Sequence, residues 1–252
     1  MEHIINPLQT SWSVWALTAL CAFITGLSKS GLKGFAMVTI PILAFLYGAK
    51  ASVGILMPFL IFGDLFAIIS YRQKVPWQHI KNFFPWAIAG IMLAAIFGNQ
   101  INDIQFKYTM GIAVLVCLSL VVWKELHPNN KLELGKGLFS YAVGLSGGFA
   151  TMIGNAAGPI FNLYLITLKL PKKTFVFTGA CFYLTLNTLK IPLHVYYWHT
   201  LSWKTLQLNF VLLPFLLLGA FVGKFIIQLI PEKVYRTFIL AITFLSAIML
   251  FL

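Results

Sequence analysis

The sequence predicts an all-α polytopic membrane protein built as two inverted repeats. Each repeat has a broken or re-entrant helix pair followed by three transmembrane helices. Three observations predict this. Of 252 residues, 60% are hydrophobic and 10% charged, and the mean hydropathy is +0.87; a soluble domain carries about 25% charged residues. Apolar runs of span-like length recur from Trp12 to Leu252. The two halves also share ordered motifs. A transmembrane β-barrel is excluded, because its strands would alternate apolar and polar residues over segments of ~10 residues.

The first half contributes apolar segments at 12–27, 35–47, 52–71, 83–97 and 106–123. The second contributes 138–145, 149–168, 175–198, 206–229 and 234–252. The repeats are therefore read as 1–123 and 137–252, joined by the polar linker KELHPNNKLELGK at 124–136. The first run lacks a basic leader and a small-residue cleavage site, so it reads as a span and not as a cleavable signal peptide. TGLSKSGLKGFAMVTIP ends at Pro41 and VGLSGGFATMIGNAAGP at Pro159, with Gly-Leu-Ser and Pro both offset by 118. Lys50 matches Lys173 and Asp64 matches Asn187 at 123; Pro85, Gly90 and Lys107 match Pro214, Gly219 and Arg236 at 129.

Charge decides the topology. If each half crosses an odd number of times, one side receives Arg72, Lys74, Lys81, Lys124, Lys131, Lys136, Lys169, Lys172, Lys173, Lys233 and Arg236. The other receives only Lys50, Lys107 and Lys204. With four crossings per half the same residues divide evenly. Short cytoplasmic loops are enriched in Lys and Arg, so the odd count is preferred. It places both termini outside the cytoplasm and inverts one half relative to the other, as in many secondary transporters. The net charge of +12 then reflects loop bias and does not point to nucleic acid.

Segments 35–47 and 138–145 are too short to cross, since a crossing takes about 20 residues. The expectation is that 12–27 with 35–47, and 138–145 with 149–168, dip in and return at Gly-Ser-rich tips. Irregular backbone at membrane depth must be buried in protein or line an aqueous cavity. Helix starts at such tips aim N–H groups and a positive dipole end at an anion. Ser28, Lys29, Ser30 and Ser146 lie at the tips and become candidate anion ligands. Lys33 is equally well explained as a headgroup-level charge, and Lys224 snorkels from its span end. Asp64 is the one acid of six within a span. A carboxylate there costs on the order of 3 kcal/mol to insert, so it is either half of an ion pair with Lys29 or Lys190 or a proton-coupling group. Its counterpart Asn187 shares a helix face with Lys190. Asn155 either donates to the ligand or caps a half-helix.

His194 and His199, beside VYYWH, read as interfacial residues in an aromatic belt, and His79 as a loop residue. Cys21, Cys117 and Cys181 read as small buried hydrophobes. No metal, nucleotide or hydrolase motif occurs in a plausible context, so no metal, cofactor or enzymatic activity is expected.

The order and spacing of these features resemble the TauE/SafE family of sulfite and organosulfonate exporter-like permeases. The resemblance rests on the Gly-rich starts running into Pro41 and Pro159, on GDLFAIISYRQKVPWQHIKNFFPWAIAGIMLAAIFG (63–98) and on NTLKIPLHVYYWHTLSW (187–203). At the first repeat start this chain has SKSGLKG where many members have a Gly-Gly-Gly run. The resemblance implies a permease for small sulfur oxyanions or sulfonates in a bacterial inner membrane. The reading is a secondary transporter using alternating access: Lys29 and Lys190 attract the anion, Ser28, Ser30 and Ser146 bond it, Asn155 and Asn187 orient it, and Asp64 couples or tunes. The rival readings are a passive anion channel and a non-transport scaffold or accessory subunit. The expected partners are the anion and the lipid bilayer. A homodimer is compatible with the sequence but not required by it.

Overall fold

The computed structural model describes residues 11–30, 35–126, 138–156 and 170–229, together with Gly158, Phe161, Asn162, Leu165, Leu168 and Ile248. Lys33, Pro159, most of the 124–136 linker and, apart from Ile248, the tenth apolar segment lie outside the described residues. Every described element is helical. They are α1 (Trp12–Lys29), α2 (Ala36–Tyr47), α3 (Ala49–Tyr71), the short α4 (Trp77–Ile80) with a 3₁₀ turn (Lys81–Phe83), α5 (Phe84–Gln100), α6 (Asp103–Leu126), α7 (Leu138–Gly154), α8 (Lys172–Pro192) with a π-helical turn (Leu193–Tyr197), and α9 (Trp203–Leu229).

Four stretches among the described residues are long and apolar enough to cross a membrane: Trp12–Lys29, Ala49–Tyr71, Lys81–Gln100 and Trp203–Ile226. α3 is the central one, buried over most of its length, whereas α1, α5 and α9 keep an outward apolar face. Met92, Leu93 and Ile96 on α5, and Phe215, Leu218 and Phe221 on α9, are exposed. In water such faces would be a large unfavourable patch; against acyl chains they are at home.

The first helix break comes where it was expected, with α1 ending at Lys29 and α2 starting at Ala36, but Gly26 and Gly148 serve to pack helices and not to break them. α1 runs unbroken through Gly26 to Lys29, and α7 runs unbroken through Ser146, Gly147 and Gly148 to Gly154. The expected break at 145–149 is absent, and α7 ends nearly two turns later, at Asn155. A Cβ on Gly26 would fall on the Leu216 carbonyl of α9, and one on Gly219 would fall on the Phe23 carbonyl of α1. A Cβ on Gly148 would fall on the Ala87 carbonyl of α5, and one on Gly90 on the Leu145 carbonyl of α7. Small residues let backbones approach this closely inside a membrane. The two crossings match residue for residue: Gly26 to Gly148 and Phe23 to Leu145 are both 122 apart, and Ala87 to Leu216 and Gly90 to Gly219 both 129. The 122 offset is one helical turn longer than the 118 of the Gly-Leu-Ser match.

Gly26→Ala and Gly148→Ala are each expected to destabilise the fold by about 1–3 kcal/mol, the usual cost of overpacking, and to lower the melting temperature in detergent. Gly158→Ala, where nothing lies within 4 Å of an added Cβ, should leave the melting temperature unchanged.

α2 and α3 meet at Gly48, whose φ of +88° suits glycine alone. The first two N–H groups of α3, on Ala49 and Lys50, donate to the Asp103 carboxylate at 3.0 and 2.9 Å. An acid from α6 therefore caps α3, where the helix dipole favours negative charge. At the same end of α2, the Thr18 and Tyr47 hydroxyls are 2.8 Å apart and tie α2 to α1.

Candidate functional site

Where α1, α3, α7 and α8 converge, a cavity opens. Its polar wall carries Ser28 and Lys29 from the end of α1, Asp64 from α3, Thr151 and Asn155 from the end of α7, and Tyr183 and Asn187 from α8. Its apolar wall includes Met37, Leu56, Leu60, Val176 and Ala180. The empty space, open mouth included, is about 710 Å³.

Lys29 reaches the cavity from the last residue of α1. Its Nζ donates to Asp64 Oδ1 at 2.7 Å, the one ion pair among the described residues, with side chains 13% and 1% exposed. Gly63 makes room for it, since a Cβ there would sit 2.6 Å from Lys29 Cγ. The ammonium also lies 5.1 Å from the centre of the Tyr183 ring, within cation–π range. Asn187 Nδ2 donates to the other Asp64 oxygen at 3.4 Å.

Lys190 lies three residues beyond Asn187 on α8 and is fully buried. Its Nζ donates to the Thr151 carbonyl at 2.9 Å, the Thr151 hydroxyl at 3.2 Å and Asn155 Oδ1 at 2.8 Å. All three acceptors are neutral. Thus Lys190 stands one layer behind the polar wall, holding two residues that line it. A cationic side chain buried against neutral dipoles is expensive unless an anion approaches. The formal charges of Lys29, Lys190 and Asp64 sum to +1.

Asn155 does two jobs. It ends α7 with a φ of +53°, a left-handed conformation that Asn tolerates better than most residues, and its N–H returns to the Thr151 carbonyl at 3.0 Å. Its Nδ2 donates to the Val53 carbonyl of α3 at 3.1 Å, leaving Oδ1 for Lys190. Asn155→Gly keeps the backbone turn and removes only the amide. It should leave thermal unfolding within a few degrees of wild type while weakening anion binding roughly tenfold, the cost of about one charge-assisted hydrogen bond, read by isothermal titration in detergent.

Of the residues singled out from sequence, Ser28, Lys29, Asp64, Asn155 and Asn187 meet at one cavity, with Lys190 directly behind. Ser30 and Ser146 do not line it. The Ser30 hydroxyl donates to the Leu27 carbonyl at 3.0 Å and is turned toward Gly223 of α9, while its carbonyl accepts from Tyr71 Oη at 2.6 Å. Ser146 lies nine residues before Asn155, in the middle of an α7 that does not break there. Thr151, Tyr183 and Asn162 were missed. Helical spacing would have found the first two, because Thr151 and Tyr183 sit four residues before Asn155 and Asn187 and so share their faces. Among the described residues no three His, Cys, Asp or Glu side chains converge as a metal site would require.

The histidine expected at the interface is not there. His194 is fully buried, because it lies four residues beyond Lys190 and seven beyond Asn187, on the same inward helix face, just as the helix enters its π-helical turn. His199 stays exposed.

Comparison with known proteins places this geometry. The sequence model of the family described as sulfite exporter TauE/SafE matches residues 18–250. A probable membrane transporter protein, MamO, from Paramagnetospirillum magneticum is 32% identical over 66 residues, 26% of this chain and 10% of that protein. Its namesake from Magnetospirillum gryphiswaldense is 32% identical over 57 residues, 23% and 9% respectively. The chain thus matches about a tenth of the length of these curated relatives. No solved structure matches.

Proposed function

This chain belongs to the sulfite exporter TauE/SafE family of membrane transporters, and from that premise we propose that it is a secondary permease for a small anion, sulfite or an organosulfonate, and not an enzyme. The observation that carries the reading is the charge balance at the cavity among the described residues: two lysines against one carboxylate, with Lys190 buried among neutral oxygens. Such a site favours an incoming monoanion and disfavours a cation. Ser28, Thr151, Asn155 and Asn187 supply neutral hydrogen bonds, and charge-assisted bonds to the lysines are roughly twice as strong. In this reading Asp64 holds Lys29 when no anion is bound and releases it when one arrives, which makes it the coupling group.

The matched glycine crossings of α1 on α9 and α7 on α5 support a duplicated architecture, with 1–123 and 137–252 as inverted halves around the cavity. Alternating access would then be a movement of α3 and α8 between two locked pairs. An inner-membrane location and non-cytoplasmic termini complete the proposal, supported by the family and by the lysine distribution.

The test is uptake of labelled sulfite and of a small alkyl sulfonate into proteoliposomes, with and without a pH gradient, for wild type and Lys29→Ala. Saturable flux lost in the variant is the expected result. Unsaturable flux would identify a channel. No flux of either anion under any gradient would overturn the sulfur assignment.

A further inference from the structure

Three buried side-chain atoms among the described residues have no hydrogen-bond partner, on Thr178, His194 and Asn209, and His194 is the one that follows Asn187 and Lys190 along α8. Asn187, Lys190 and His194 are spaced i, i+3, i+7 along α8 and its π-helical turn. At 1.5 Å per residue, His194 lies about 10 Å past Asn187, on the side away from Val176 and Ala180, which line the cavity nearer the start of α8. Its surroundings form a closed ring of contacts with the site. Lys190 bonds Asn155, Asn155 bonds the Val53 carbonyl, the adjacent Gly54 packs on the Thr200 carbonyl, and Thr200 Oγ1 is 2.7 Å from His194 Nδ1. The Thr200 and Leu201 N–H groups donate to the His194 carbonyl at 2.9 and 3.2 Å. The ring edge packs on Trp198, whose Nε1 donates to the Ala95 carbonyl at 2.9 Å.

His194 Nε2 is buried and has no hydrogen-bond partner among the described residues. An unpaired buried ring nitrogen is costly, typically about 1–3 kcal/mol, and in a native structure it calls for a missing partner. π-Helical turns, themselves unfavourable, concentrate at functional sites. Nothing in the resting arrangement needs Nε2, since Thr200 and Trp198 already fix the ring through Nδ1 and its edge.

We propose that His194 Nε2 is a second anion station, occupied when the anion passes the Lys190–Asn155 floor toward the far face of the membrane. In the tautomer whose Nδ1 accepts from the Thr200 hydroxyl, Nε2–H is a donor left to meet an anionic oxygen. The anion is then handed from one cation-bearing turn of α8 to a neutral donor on the next. Beyond it, Lys50 lies 5.4 Å from the Trp198 ring and continues the same positive line. This inference rests on the anion-permease reading above, and its chemistry is that of an oxyanion accepting from imidazole.

The test compares two substitutions. His194→Asn keeps a polar atom near Nδ1 for Thr200 and deletes Nε2. His194→Gln places an amide where Nε2 stood. Binding of sulfite and of a short alkyl sulfonate is measured by isothermal titration in detergent, and flux of the same anions in proteoliposomes. The expected result is wild-type binding in both variants, with flux down tenfold or more in His194→Asn and within about threefold of wild type in His194→Gln. Equal flux in the two variants, whether both normal or both lost, overturns the station at Nε2 while leaving the cavity reading intact. If wild type itself binds neither anion, the permease reading has failed, and this inference falls with it.

Discussion

Lys190→Met is expected to weaken anion binding by up to about 100-fold without losing the fold. The lysine is fully buried and its ammonium meets only neutral oxygens, so desolvation of the charge is only partly offset in the empty protein. Replacing a buried charge by an apolar side chain of similar length is often neutral or stabilising. The variant does strip Thr151 and Asn155 of a donor, which costs ~1–3 kcal/mol, so the two effects oppose. The melting temperature should therefore move by only a few degrees in either direction. The anion instead loses the positive charge behind Thr151 and Asn155, worth up to ~3 kcal/mol, and each 1.4 kcal/mol is tenfold in affinity. Titration with sulfite and an alkyl sulfonate, alongside thermal unfolding in detergent, separates the readings. Intact binding with a collapsed melting temperature would make Lys190 a structural strut and favour a scaffold over a permease.

Asp64→Asn should act the other way, on stability first. Asp64 is 1% exposed and Lys29 13%, and they sit 2.7 Å apart. Breaking a buried pair by removing one partner costs ~3–5 kcal/mol because the other charge is stranded. The formal charge of the site rises from +1 to +2, so the surviving protein should bind anions more tightly and release them more slowly. Lys29→Met combined with Asp64→Asn should recover much of the lost stability, since neither charge is then left alone, and the double-mutant cycle measures the coupling. If Asp64 also carries the proton that accompanies the anion, flux in Asp64→Asn should no longer respond to a pH gradient. A gradient response equal to that of wild type would remove Asp64 from coupling and leave it as the partner of Lys29 alone.

Hydropathy and charge alone determined the solvent of this protein, the helical class, most helix positions and the shortlist of Lys29, Asp64, Asn187 and Lys190. They did so because a charge within an apolar run is expensive wherever the chain folds, so its presence can be read without knowing its neighbours. Sequence spacing also placed Asn187 opposite Asp64, and the two side chains do meet. Other features depended on contacts between distant segments. Glycine in a helix is compatible with a break or with a close crossing. Only the Ala87 and Leu216 carbonyls lying against Gly148 and Gly26 decide for the crossing, which carried α7 past the expected tip to Asn155. Ser30 and Ser146 looked like ligands because they flank glycines, but a serine's direction is set by the helix it joins and by what packs there. His194 faces inward because it lies four residues beyond Lys190 on one helix face, so helical spacing would have found it, as it would Thr151 and Tyr183. The tertiary fold alone determined that Thr200 would meet its Nδ1 and Trp198 its ring, because contacts made where the chain turns back leave no mark in composition or periodicity.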